Sequence, residues 1–200
     1  MRWFRDNAVW LGWLSVWLYI GYFVLQVIFQ FALMQGQREI NQGIATPIEN
    51  FVSTTLILLF FFGLIQFASR RGDAELSTTF RTIFVITILQ IVLGVPFWFI
   101  RYFEADFLTS LLIAQIPLFC IEGILMIRLA EQCNKYILEF GGVARRVIWW
   151  SKVGGWMLAS VVLLLPGLIP ATFAYFFLWR LLASEVRTSK GELSKLSVSG

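Results

Sequence analysis

Histidine is absent from the 200-residue sequence, and the two cysteines, Cys120 and Cys133, form no C-x-x-C pair. The lack of histidine excludes histidine-ligated metal sites and the histidine bases of serine and cysteine nucleophiles. The sequence also contains no phosphate-binding glycine loop and no H-E-x-x-H motif. We therefore expect no enzyme, no metal and no cofactor, apart from bound lipid.

Charged residues are scarce, at 14% of the chain, whereas 58% of the residues are hydrophobic. An average soluble domain has about 25% charged residues, and a soluble chain of this size could not bury so much apolar surface. The net charge of +4 comes from basic residues that are scattered between apolar runs. This pattern indicates contacts with lipid headgroups and gives no support for nucleic acid binding.

Long uninterrupted apolar runs predict an all-α fold, a polytopic transmembrane bundle in one domain. Each run approaches the roughly 20 residues that a helix needs to cross the hydrocarbon core. Strands of a barrel would alternate apolar and polar residues instead. We predict six membrane segments, followed by a polar cytoplasmic tail at 187–200; the segments are about 8–34, 51–68, 82–101, 107–130, 147–165 and 167–184.

The last two segments depend on how the sequence LPGLIP is interpreted. A hairpin turn at Pro166, Gly167 and Pro170 gives six segments, whereas one long proline-kinked helix gives five. With six segments and a cytoplasmic N-terminus, fourteen of the sixteen basic residues lie on the inner side. The positive-inside rule therefore favours the hairpin, with both termini cytoplasmic, in a bacterial inner membrane.

Glu122 is the most informative polar residue, because it lies inside the predicted fourth segment. A carboxylate there costs a few kcal/mol on insertion scales, so it should face protein or water, or be protonated. Gln115 lies seven residues earlier on the same helix face, and Arg128 lies near the inner boundary. The group is either an ion, proton or substrate site, or a structural carboxyl bonded to a neighbouring helix or to Arg128. Amides elsewhere in the segments, such as Gln90, are interpreted as bonds between helices.

Small and aromatic residues mark predicted packing faces and membrane boundaries. Ser151, Gly155 and Ala159 recur every four residues and would let another helix approach closely. Tryptophan favours the membrane interface. The tryptophans near predicted segment ends are Trp10, Trp13, Trp149, Trp150 and Trp179.

Two functions remain open on these residues. The poverty of ionisable groups and the apolar, aromatic helix faces favour a non-catalytic accessory, scaffold or assembly subunit of a larger membrane complex. Its partners would be membrane lipids and either other membrane subunits or further copies of this chain. The alternative is a small transporter or channel with a mid-membrane polar site at Glu122 and Gln115.

Overall fold

Six long helices make up most of the described chain. The computed structural model describes residues 7–36, 42–99, 103–160 and 163–198, and these residues contain helices and turns and no strand. The elements are α1 (Ala8–Gly36), α2 (Gln42–Arg70), α3 (Ala74–Trp98), α4 (Ala105–Gln132), a 3-10 turn (Cys133–Tyr136), the short α5 (Ile137–Phe140), α6 (Gly142–Ala159) and α7 (Leu164–Val198).

By length and composition, five of the described helices are long and apolar enough to cross a membrane; they are α1, α2, α3, α4 and α7. The predicted all-α transmembrane bundle is therefore confirmed, and the chain is an integral, multi-pass membrane protein. The remaining long helix, α6, carries Arg145, Arg146 and Lys152 within 18 residues and is not among the five. The sixth membrane segment thus stays a prediction.

Several helices extend beyond the apolar runs that predict them. α2 begins at Gln42 rather than at 51, and α3 begins at Ala74 rather than at 82. The segment predicted as a polar tail continues α7 through Val198. Apolar length measures what can be buried in lipid, whereas helical hydrogen bonding continues into polar residues until a breaker stops it.

The helices form a closed ring. Each long helix packs on the next one in sequence, with α6 following α4, and α7 returns to pack against α1. Every long helix therefore presents one face to a common centre.

The chain doubles back between α6 and α7, but the predicted position of the turn is wrong. α6 ends at Ala159 and α7 begins at Leu164, so the turn precedes Pro166, Gly167 and Pro170, all of which lie within α7. Pro166 occupies the first helical turn, where an amide has no intrahelical partner to lose. The prolines therefore mark the start and the early interior of a helix.

Glycines set how closely α6 and α7 approach. A Cβ on Gly154 would lie 2.8 Å from the Ala171 nitrogen, and one on Gly167 would lie 2.9 Å from the Leu158 nitrogen. Gly154 precedes Leu158 in α6, whereas its partner Ala171 follows Gly167 in α7, so the two helices run antiparallel.

A tighter crossing joins α4 to α6. A Cβ on Gly155 would lie 2.6 Å from the Gly123 carbonyl oxygen, and one on Gly123 would lie 2.6 Å from the Ala159 nitrogen. The small-residue face of α6 predicted from the sequence is therefore where Gly155 and Ala159 meet α4, and Ser151 on the same face is fully buried. The two backbones can approach this closely because neither glycine carries a side chain.

Asp73 lies at the polar end of the bundle, which carries Arg71, Lys135 and Tyr136. One carboxylate oxygen accepts the Leu76 amide at 3.1 Å and caps α3. The other accepts the Tyr136 hydroxyl at 2.7 Å and pairs with the Lys135 ammonium at 2.6 Å. Burial raises the pKa of Asp73, but the hydrogen bonds from Lys135, Tyr136 and Leu76 outweigh burial and hold the pKa below its usual range.

We expect Asp73→Asn to lower the free energy of unfolding at neutral pH. The variant's free energy of unfolding should also depend less on pH in the acid range. Asparagine keeps the helix cap but loses the charge. Because the folded-state pKa is lowered, ionised Asp73 stabilises the fold above the unfolded pKa of about 3.9, and this contribution is lost as the pH falls through the folded value. Thermal unfolding of both proteins in detergent from pH 7 to pH 3 tests this. The difference in unfolding temperature between the two proteins should become smaller as the pH falls. A difference that does not change with pH would contradict a stabilising role for ionised Asp73.

Candidate functional site

A cavity of about 450 Å³ lies at the centre of the helical ring. Each of the six long helices contributes residues to its wall, and most of those residues are apolar or aromatic. Phe60 and Phe61 of α2, Phe119 of α4 and Leu158 of α6 are among them. The cavity is therefore a feature of the whole bundle.

Glu122 brings the one charged side chain to the cavity wall, as far as the structure describes the chain. Only 8% of the residue is exposed. The Gln90 amide of α3 donates to one carboxylate oxygen at 3.0 Å, and the Tyr175 hydroxyl of α7 donates to the other. Three helices thus converge on a single carboxylate.

Helix periodicity explains why Glu122 faces inward. Glu122, Met126 and Leu129 are all buried and recur at helical spacing along one face of α4. Tyr175 is held against the edge of Phe61, with ring centroids 5.5 Å apart and an interplanar angle of 82°. The phenol is therefore positioned by packing as well as by its bond to the carboxylate.

Two hydroxyl donors of the cavity wall are already used within their own helices. Thr87 donates to the Ile83 carbonyl and Ser15 donates to the Gly12 carbonyl, each at 2.9 Å. The Glu122 carboxylate accepts two hydrogen bonds and can geometrically accept more. It is the strongest acceptor available to a molecule in the cavity.

The cavity opens sideways between α1 and α7. The residues on its rim include Tyr19 and Ile20 of α1, which are 38% and 39% exposed, and Phe176 of α7, which is 42% exposed. At one end the two helices meet, because the Trp179 indole donates to the Trp13 carbonyl at 3.1 Å. The opening therefore lies on an apolar outer surface of the bundle.

The structure separates the three residues of the predicted polar site. Glu122 lines the cavity, whereas Gln115 is half-buried and does not line it. Arg128 is exposed and borders a polar groove with Glu75 and Glu131 near the C-terminal end of α4. Among the described residues Arg128 forms no ion pair with Glu122, and the carboxylate instead contacts Gln90 and Tyr175.

Sequence reasoning missed Tyr175 entirely. It predicted that Gln90 forms a bond between helices, which the bond to Glu122 confirms, but it did not assign Gln90 to the candidate site. The available signal was a hydroxyl-bearing aromatic ring in the middle of an apolar run, but tyrosine is common there for packing alone.

The predicted interface tryptophans have different surroundings. Trp149 is 56% exposed and Trp10 is 37% exposed, whereas Trp150 stacks on Phe173 with centroids 4.7 Å apart. Trp179 contacts α1 and lines the cavity. Some of these rings therefore face outward, and others hold helices together.

Within the described ranges there is no group of three or more histidine, cysteine or acidic side chains that could hold a metal ion. No known protein family, curated protein or solved structure matches the chain. The candidate site is therefore argued from its geometry.

Proposed function

We propose that the protein binds a small lipid-soluble molecule in the cavity beside Glu122, as a carrier or transporter. The observation that carries this proposal is a buried carboxylate at the wall of a 450 Å³ cavity, held there by Gln90 and Tyr175. Ligand pockets are typically about 300–1,000 Å³, apolar, and provided with a few fixed polar groups. Ionisable residues inside membrane segments usually serve function.

The cavity favours the transporter alternative over the accessory role. An accessory subunit needs outward faces that suit a partner, and the exposed apolar side chains of this bundle suit lipid equally well. A scaffold does not require an interior cavity, whereas a carrier does. The accessory role stays a prediction from composition.

We further propose a cytoplasmic location for the bundle end that carries Arg71, Lys135, Arg145 and Arg146, which would place the protein in a bacterial inner membrane. The clustering of basic residues at that end supports this orientation through the positive-inside rule. In this arrangement α6 is the sixth membrane segment, with its charged residues near or reaching toward the headgroups.

Filling the cavity should remove binding of a lipophilic probe. Thr87→Trp places an indole at the cavity wall next to Gln90, and Val85→Trp places the same indole on the outer face of α3, where Val85 is 53% exposed. The probe is 9-(hydroxymethyl)anthracene, measured by energy transfer from tryptophan in nanodiscs, with empty nanodiscs subtracted. We expect saturable binding to the parent and to Val85→Trp, and at least about tenfold weaker binding to Thr87→Trp, since a blocked pocket loses its apolar contacts.

Both variants must elute as folded, monodisperse protein for the comparison to count. The proposed function would be contradicted if Thr87→Trp and Val85→Trp bound the probe equally well. It would also be contradicted if the parent showed no saturable binding beyond partition of the probe into lipid.

A further inference from the structure

We infer that the ligand is a lipophilic cation, an organic ammonium with an apolar body that enters the cavity from the bilayer between α1 and α7. This inference rests on the proposed function and specifies the chemical class of its ligand. It follows from the charge, the shape and the opening of the cavity.

The first observation is that Glu122 has no positive partner within the described part of the chain. Its two hydrogen-bond donors, the Gln90 amide and the Tyr175 hydroxyl, are both neutral. No lysine or arginine lines the cavity among the residues that the structure describes. Arg71 and Lys135 lie at the polar end of the bundle, where they form ion pairs with other carboxylates.

A buried carboxylate with neutral donors is well placed to receive a cation. Charges removed from water are normally paired, because the interior cannot solvate them. An ammonium supplies donors that the carboxylate can still accept, and a charge-assisted hydrogen bond is about twice as strong as a neutral one. A neutral ligand gains less from this site, and an anion is repelled.

The walls around Glu122 suit the rest of such a ligand. The rings of Phe60, Phe119 and Phe176 line the cavity, as does Tyr175 beside the carboxylate. Aromatic faces attract cations through their quadrupole and also bury apolar groups. The ammonium would therefore lie at Glu122 and the apolar body against the rings.

The rim sets the direction of entry. Tyr19 and Ile20 on α1 and Phe176 on α7 are partly exposed and apolar, and they border the opening. A molecule dissolved in lipid can reach Glu122 through this opening without crossing the polar end. A long apolar tail could remain between the two helices.

A matched set of probes tests the charge directly. 9-(Aminomethyl)anthracene, 9-(hydroxymethyl)anthracene and anthracene-9-carboxylate share one ring system and are cationic, neutral and anionic at pH 7. In nanodiscs of zwitterionic lipid, corrected for partition into empty discs, we expect the ammonium to bind the parent about tenfold or more tightly than the alcohol, because only the ammonium forms a charge-assisted bond. The carboxylate should bind most weakly.

Two variants assign the preference to Glu122. Glu122→Gln keeps the side-chain shape but removes the charge, and it should reduce the ammonium's advantage over the alcohol to less than about threefold. Tyr175→Phe removes one neutral donor and leaves the charge, so it should keep the order of the three probes. Should Glu122→Gln fail to fold, the order of the three probes on the parent and on Tyr175→Phe still decides the inference.

The outcomes separate this inference from the proposed function. Saturable binding that Thr87→Trp abolishes, but with the alcohol or the carboxylate bound as tightly as the ammonium, overturns the inference and leaves the cavity as a binding site. An ammonium preference that survives in Glu122→Gln also overturns it. Absence of saturable binding for all three probes overturns both proposals.

Discussion

Replacing Gly155 with leucine is expected to prevent α4 and α6 from packing and to abolish recovery of folded protein. Even a methyl group at this position would lie 2.6 Å from the Gly123 carbonyl oxygen and 2.7 Å from an Ile127 side-chain carbon. The first of these contacts is with backbone, which cannot move aside as a flexible side chain can. Overpacking usually costs about 1–3 kcal/mol, and a branched side chain against backbone should exceed that range.

Gly94 provides the matched control. A Cβ at Gly94 meets no atom within 4 Å, and the residue also lies inside a long helix. Gly94→Leu should therefore be recovered as folded protein, whereas Gly155→Leu should aggregate or elute as a broad species in size-exclusion chromatography. Equal recovery of the two variants would contradict the α4–α6 crossing.

Arg71→Met is expected to lower the free energy of unfolding by about 2–3 kcal/mol, between the cost of breaking an exposed ion pair and that of breaking a buried one. The Arg71 guanidinium forms a bidentate ion pair with Glu139 and donates a further hydrogen bond to Glu185 of α7. It also lies 4.9 Å from the centre of the Phe67 ring and 4.8 Å from that of Phe140. Removing it leaves Glu139 and Glu185 without the cation that bridges them.

Two controls identify what Arg71 contributes. Arg71→Lys keeps the charge but loses the planar fork, so it should recover only part of the lost stability. Arg81→Met removes an exposed arginine from α3 and should change stability by less than about 0.5 kcal/mol. Thermal unfolding in detergent measures the stability of the three variants relative to the parent. An Arg71→Met protein as stable as Arg81→Met would show that the polar end does not fasten α7 to the rest of the bundle.

The membrane class of the fold was predictable from the sequence, because lipid requires long apolar helices and the runs are unmistakable in length. The helix ends were not predictable, since polar residues such as those after Gln42 and Ala74 extend a helix without extending its apolar run. The hairpin between α6 and α7 was predictable from charge, but its turn was misplaced. Pro166 is compatible with a turn and equally with the first turn of a helix.

Of the three residues that form the observed site, only Glu122 was predicted as a site residue. Glu122 attracts notice because a carboxylate within an apolar run is costly. Its partners, Gln90 and Tyr175, lie on two other helices, and their contact depends on how each helix is rotated about its axis. The sequence periodicity of nearly all-apolar helices does not define that rotation, so the constellation emerged only from the packed bundle.

Photolabelling of the cavity tests the central claim most directly. A long-chain alkylammonium bearing a diazirine next to its head is activated with the protein in nanodiscs, and the adducts are mapped by mass spectrometry. The account predicts adducts on Glu122 or Tyr175 that excess 9-(aminomethyl)anthracene displaces and that Thr87→Trp prevents. Adducts confined to lipid-facing positions such as Val85 and Val92, unchanged by competitor and by Thr87→Trp, would contradict it.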